Sequence, residues 1–170
     1  IRQRESVLAD IPSQAVKTGA MGDGRILHAV ARLIRKYRFP LVVDPVMVSK
    51  HGAPLLDRDA VRIFIKELLP LAALVTPNLA EAEALSGIKV YDERSMEKAA
   101  RIIAGSGAKA VLVKGGHLSG DSTDIKKKKN RTHLLKAPRV RTKHTHGTGC
   151  TYSAAITAGL ARGKDLLASV

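Results

Sequence analysis

Tryptophan is absent from this sequence, and aromatic residues make up only 3% of its 170 positions. Proteins that hold single-stranded nucleic acid stack bases on such rings, so that class is disfavoured in spite of a formal net charge of +14. Neither a helix-turn-helix pattern nor a zinc-ligand spacing is present, and no nucleic-acid partner is expected. Cysteine occurs once, as Cys150. A lone thiol closes no internal disulfide, which fits a reducing compartment and hence the cytoplasm. Long apolar runs are lacking too. None approaches the ~18 residues that span a bilayer, so no membrane partner is expected. No secretory pattern opens the sequence, which starts with Ile1 rather than Met.

Acidic residues are scarce, 15 against 29 Lys and Arg. The positives are scattered over helix faces except in Lys126-Lys127-Lys128-Lys129, which reads as a solvated loop tip. Apolar residues at 45% and charged residues at 26% are ordinary for a globular domain of this length, and there is no internal repeat or linker. Strands are expected at Ala15–Thr18, Leu41–Val43, Ala73–Val75 and Ala110–Val113. Helices are expected from Asp23 to Tyr37, after Asp57, from Leu79 to Leu85, and from Ser95 to Ala104. Asp23, Asp57 and Ser95 are the expected caps. The first of these helices should bury Ile26, Val30, Ile34 and Tyr37, and the second Ala60, Val61, Phe64, Ile65 and Leu68. Short apolar strands alternating with helices imply right-handed crossovers and a parallel sheet covered on both faces. Thr123–Ile125 and Thr132–Leu135 should add an antiparallel hairpin. A small-residue helix is expected from Thr151 to Arg162, and Asp165 onward reads as the opening of another.

Four motifs lie at strand ends or a helix start, the edge where open α/β sheets bind ligands. Thr145-His146-Gly147-Thr148-Gly149-Cys150-Thr151 puts two glycines directly before the small-residue helix. Glycine admits positive φ and close approach, and a helix start offers unpaired N–H groups, so the loop suits an anion such as phosphate. The bland alternative is a tight helix entry. Cys150 falls on the first turn, where a thiolate is favoured, although a small thiol there can also simply fill space. Val42-Val43-Asp44-Pro45-Val46-Met47 ends a strand with a carboxylate that could equally form a turn. Thr76-Pro77-Asn78-Leu79-Ala80-Glu81 sets Asn78 three residues before Glu81, which is also the spacing of a capping box. Val113-Lys114-Gly115-Gly116-His117 sets a lysine before paired glycines, either to meet phosphate or to be solvated.

With these motifs in this order, the chain resembles the ribokinase-like superfamily. Within it, the chain is similar to the hydroxymethylpyrimidine/phosphomethylpyrimidine kinases of thiamine biosynthesis. The resemblance runs from about Ala15 to the last residue and includes Ala137-Pro138-Arg139. It implies a three-layer α/β/α fold, mostly parallel with an antiparallel hairpin, in one domain spanning 1–170 and continued at both ends. It implies an ATP-dependent, Mg²⁺-assisted kinase acting as a cytoplasmic homodimer on 4-amino-5-hydroxymethyl-2-methylpyrimidine and its monophosphate. Pyridoxal kinase on the same fold is the near alternative, and a nucleotide-binding fragment without turnover is the distant one.

The resemblance also implies roles. Gly147, Thr148, Gly149 and Cys150 would form the anion hole, with Cys150 as base where the wider superfamily uses Asp. Lys114, Gly116, Thr142 and Asn78 would meet the nucleotide. Asp44 and Glu81 would hold Mg²⁺ through water, and Val46 and Met47 would line the pyrimidine pocket. His144 and His146 have a ligand-like spacing, but two histidines alone make a poor zinc site. His146 is expected to bond within the loop, and His144 stands where family members carry Asn. Lys126–Lys129 stands where they carry apolar strand residues. A positive potential would help draw in a polyanionic nucleotide.

Overall fold

The computed structural model describes residues 2–48, 55–116, 122–128, 131–140, 142 and 145–170. The chain runs through four short strands, β1 (Val16–Thr18), β2 (Leu41–Val43), β3 (Leu74–Val75) and β4 (Ala110–Lys114). Each pairs in parallel with the one before, with Val16 opposite Leu41, Val42 opposite Leu74 and Val75 opposite Val111. β5 (Ser122–Lys128) and β6 (Arg131–Ala137) then extend the sheet as antiparallel strands. The six strands lie in the sheet in the order they occur in the chain.

Helices cover both faces. They are α1 (Arg2–Asp10), α2 (Gly24–Tyr37), α3 (Arg58–Ile63), α4 (Leu79–Ser86), α5 (Glu93–Gly105), α6 (Thr148–Ala161) and α7 (Leu166–Ser169). α3 runs on into a wider turn over Phe64–Leu68, where the Leu69 N–H reaches the Phe64 carbonyl, and then into a tight turn over Leu69–Leu71. Alternation of side chains along the strands divides the core into two layers. Leu41, Val43, Val75, Val111 and Val113 pack with α2 to α5 on one face. Val42, Leu74, Ala110 and Leu112 pack with Ile156 of α6 on the other. Each fully buried Leu or Val in these layers contributes about 1.5–3 kcal/mol relative to exposure. Burial on both faces explains why the parallel strands are apolar throughout. The expected three-layer arrangement is what forms.

The caps Asp23 and Asp57 are as expected, accepting from the N–H groups of Ile26 at 3.0 Å and Ala60 at 2.7 Å. Ser95 is not a cap. α5 begins earlier, at Glu93 with Asp92 as its cap, and Ser95 occupies the third helical position, where it completes a capping box. On α2 Val30 and Ile34 are buried as expected, but they share the stripe with Leu27 and Ala31, while Ile26 is 42% exposed and Tyr37 half-buried, because the buried face is centred between Val30 and Ala31. α6 starts at Thr148, three residues before the expected Thr151, so the glycine loop itself belongs to its first turn.

The lysine run departs furthest from expectation. Lys126 and Lys127 are only 2% and 8% exposed, and pairing continues to Lys128 opposite Arg131. The hydrogen-bonded ladder, not composition, decides the strand, so the loop-tip reading fails for 126–128; Lys129 lies outside the described residues. Lys126 pairs with Leu112 and so faces the α6 layer. Burial there lowers its pKa, as does nearby Lys128, while Asp165 at the start of α7 opposes the shift. Lys127 faces α5, where its ammonium donates to Thr132 at 3.3 Å, and Thr132 in turn donates to Glu97 at 3.1 Å.

Candidate active site

The parallel strands bring their carboxyl ends to one edge of the sheet, and α6 starts beside it. Asp44 follows β2 directly and is 2% exposed. Its backbone N–H donates to the Thr18 carbonyl at 3.0 Å, which ties it to the end of β1. Both carboxylate oxygens are engaged. Oδ1 receives the Lys114 ammonium at 3.2 Å and the Thr76 hydroxyl at 3.4 Å. Oδ2 receives the Ser153 hydroxyl at 3.0 Å, with the Lys17 ammonium 3.9 Å away. A buried carboxylate is tolerable only with such partners.

Lys114 closes β4 and is brought to this point by two backbone ties: its N–H donates to the Pro77 carbonyl at 2.8 Å, and it forms a parallel bridge with Asn78. The next residue, Gly115, donates its N–H to Asp124 Oδ1 at 2.9 Å. A Cβ on Gly115 would run into the Thr123 carbonyl and the Met96 side chain. The carboxyl of Asp124 is itself pushed up by burial, against the pull of the Gly115 N–H and Lys114.

Asn78 and Glu81 form the capping box of α4. The Asn78 N–H donates to Glu81 Oε2 at 2.8 Å, and the Glu81 N–H donates to Asn78 Oδ1 at 2.9 Å. The capping role is therefore real. Glu81 is nonetheless 6% exposed, and burial pushes its carboxyl up to about 7. The N–H groups of Asn78 and Met47 and the charge of Lys114 act against that rise, while Asp44 adds to it. A helix cap on the surface has no such environment, so Glu81 belongs electrostatically to the Asp44–Lys114 cluster.

α6 supplies the other half of the site. Gly147 precedes it with φ 82°, a left-handed conformation that glycine adopts without strain. Among the described residues no side chain caps this helix. The Thr148 N–H turns back to the Thr145 carbonyl, and the Thr151 N–H is bonded to the Gly147 carbonyl. The N–H groups of Gly149 and Cys150 lie between them on the uncapped turn, where a helix presents its positive end. A Cβ on Gly149 would stand 3.0 Å from the Lys114 ammonium, so the cation is set against the helix start. Backbone donors and a lysine thus converge, as an anion site requires. Cys150 is a free, exposed thiol.

The remaining expected residues are placed less closely. Met47 packs in the core, and Val46 is half-buried with its N–H on the Asp44 carbonyl. The Gly116 carbonyl accepts from the Arg139 guanidinium at 2.6 Å. Thr142 and His146 are exposed. His117 and His144 lie outside the described residues. Among the described residues no three His, Cys, Asp or Glu side chains cluster as a metal cage. Asp44 has both oxygens occupied, and Glu81 accepts the Asn78 N–H. This donor set suits a cation met through its own waters, as Mg²⁺ commonly is, and not direct ligation. Thr76, Ser153, Lys17 and Asp124 were not singled out by pattern. Thr76 stands inside a quoted motif, but a serine within a helix of small residues carries no sequence signal.

The profile of the phosphomethylpyrimidine kinase family matches residues 1–170. The chain belongs to the phosphomethylpyrimidine kinase family. Over 168 residues it is 44% identical to a hydroxymethylpyrimidine/phosphomethylpyrimidine kinase of Streptomyces coelicolor, covering 99% of this chain and 62% of that relative. The chain therefore spans about three fifths of that relative's length. Among solved structures it resembles phosphomethylpyrimidine kinase from Clostridium difficile at 40% identity and a TM-score of 0.85, covering 99% of this chain and 69% of that one. It also resembles a pyridoxal kinase of Bacillus subtilis solved as an ADP complex, at 34% identity and a TM-score of 0.91, covering 99% and 65% of the two chains. The three-layer fold is thus the ribokinase-like fold of the vitamin kinases. No helix among the described residues is long and apolar enough to cross a membrane.

Proposed function

We propose that the protein is an ATP-dependent kinase that phosphorylates 4-amino-5-hydroxymethyl-2-methylpyrimidine and then its monophosphate, and that the chain lies within a single domain of it. The observation that carries this reading is the uncapped start of α6 set against the Lys114 ammonium. Phosphoryl transfer asks mainly for positioning and for neutralising charge on the transferred group. The N–H groups of Gly149 and Cys150, on the turn opened by Gly147 and Thr148, meet that charge from one side. Lys114 meets it from another, and Asn78, Gly116 and Thr142 border the nucleotide. Cys150 is the base toward the substrate hydroxyl, and Val46 and Met47 border the pyrimidine. A magnesium ion accompanying the nucleotide would meet Asp44 and Glu81 through its waters and neutralise phosphate charge. Family membership and the relative from Streptomyces coelicolor support the pyrimidine substrate.

The similarity to a pyridoxal kinase with a TM-score of 0.91 supports a second reading, phosphorylation of pyridoxal at the same site. Steady-state kinetics of the complete enzyme with both vitamins decide between them. A kcat/KM at least tenfold higher for the pyrimidine is the expected result, and a preference for pyridoxal would replace the first reading with the second. Mg-ATP should also raise the melting temperature by mass action, and Gly149→Val should abolish that rise. If the variant is protected like the parent, the nucleotide binds elsewhere.

A further inference from the structure

We infer that Ser153 is a positioning residue for phosphoryl transfer: its hydroxyl ties Asp44 to α6 and so fixes the Lys114 ammonium against the start of that helix. This deepens the kinase reading and rests on it. Ser153 is 1% exposed and lies one turn beyond Gly149 on α6. Its hydroxyl is 3.0 Å from Asp44 Oδ2 and also 3.0 Å from the carbonyls of Gly149 and Cys150. One hydroxyl has one proton to give. The Gly149 carbonyl is the ordinary helical partner of the Ser153 N–H, four residues on. The carboxylate is charged, and charge-assisted bonds are the stronger ones. The proton therefore goes to Asp44, and the short carbonyl distances follow from a serine held on its own helix.

The consequence is a closed circuit. Ser153 holds Oδ2 of Asp44, and Oδ1 of Asp44 holds the Lys114 ammonium at 3.2 Å. That ammonium stands 3.0 Å from where a Cβ of Gly149 would be, and one turn of α6 leads from Gly149 back to Ser153. The cation and the backbone donors come from elements far apart in sequence, and Asp44 joins them only while both of its oxygens are held. Without the Ser153 hydroxyl, the remaining polar neighbour of Oδ2 among the described residues is Lys17 at 3.9 Å, on β1. The carboxylate is then free to turn toward β1, and Lys114 turns with it. An anion bound in the ground state tolerates a shifted lysine better than a transition state does, because the latter needs its charge met in one geometry.

The test compares Ser153→Ala, Ser153→Thr and Lys114→Met in the complete enzyme, with Mg-ATP and the hydroxymethylpyrimidine as probes. Ser153→Ala should fold, since alanine favours helix and adds no volume. It should lower kcat about tenfold while changing nucleotide affinity less than about threefold. Ser153→Thr restores the hydroxyl and should recover most of kcat. Adding Ser153→Ala to Lys114→Met should cost nothing further, because the effect runs through the lysine. A purely space-filling serine predicts parental kcat, or an equal extra loss in the Lys114→Met background, and either result overturns the proposal. A ¹⁵N correlation of the lysine ammonium groups, assigned by Lys114→Met, reads the tie without turnover. The Lys114 signal should lose its protection from solvent exchange in Ser153→Ala, and unchanged protection also overturns the proposal. If the parent phosphorylates neither vitamin while that signal behaves as stated, the kinase reading fails and the structural tie stands.

Discussion

The Lys114 ammonium donates to Asp44 Oδ1 at 3.2 Å, joining the ends of β4 and β2 across 70 residues of sequence. The two partners are not equivalent. Asp44 has a side chain 3% exposed, whereas that of Lys114 is 16% exposed and open toward Gly149. Removing the lysine leaves a buried carboxylate with the more distant Lys17, 3.9 Å away, as its cation; removing the carboxylate's charge leaves a lysine that water and phosphate can still reach.

Lys114→Met should therefore destabilise the protein by about 3 kcal/mol and weaken nucleotide binding. Asp44→Asn keeps the hydrogen-bonded shape, should cost less stability, and should leave nucleotide affinity equal to the parent or tighter, while turnover falls in both. Urea unfolding and nucleotide titration of the two variants check the asymmetry. Equal destabilisation would mean that the Asp44 charge is held by its hydroxyl partners and not by Lys114.

Glu81 gives a pH signature. Burial, its largest influence, pushes its carboxyl from 4.5 up to about 7 in the folded protein. The folded state then holds the proton more tightly than the unfolded state between those values. The resulting contribution is complete below about pH 4.5 and is lost as pH rises through 7, by up to about 3 kcal/mol. Glu81→Gln should remove this pH dependence while keeping an oxygen for the Asn78 N–H. Carboxyls lowered in the fold, such as Glu83 beside the Val90 N–H and Lys89, act in the opposite sense and only at more acid pH. Parallel slopes for parent and variant between pH 5 and 7 would show that Glu81 is solvated like a surface cap.

Lys126 lies beside Leu112 on the sheet face of the smaller apolar layer, where its charged form is disfavoured. Lys126→Met keeps the aliphatic length and removes the ammonium. Stability should rise by about 1 kcal/mol, seen as a higher melting temperature at neutral pH. A loss of that size would show that Asp165 holds the ammonium strongly enough to make it useful.

The fold was legible where one period ruled. The apolar strands, the stripe of α3 and the caps Asp23 and Asp57 all follow from local chemistry. Motifs at strand ends likewise marked Asp44, Asn78, Glu81 and Lys114. Burial of Lys126 and Lys127 was not legible, because strand pairing with β4 overrides a composition that looks solvated. α1 was not anticipated, since Arg2–Asp10 carries only Val7, Leu8 and Ala9 as apolar residues and offers no stripe. Ser153 was hidden for a different reason. Its partner, Asp44, is 109 residues away, and no spacing rule reports a contact between the end of a strand and the second turn of a distant helix.

Cys150 is the sole cysteine, free and exposed on the first turn of α6. The proposed role as base requires it to lie within reach of the transferred proton, and the first turn of α6 puts it beside the anion donors. Cys150→Ser changes one atom and leaves every backbone N–H in place. Thermal protection by Mg-ATP should therefore persist, while kcat falls at least about 10²-fold, because a hydroxyl is a far weaker base. Cys150→Asp should recover part of the rate by supplying a carboxylate. With a single thiol in the chain, alkylation by iodoacetamide reports on one site, and Mg-ATP should slow it by covering the turn. If Cys150→Ser turns over at nearly the parental rate, the proton leaves by another route, and the thiol serves only to fit the helix start.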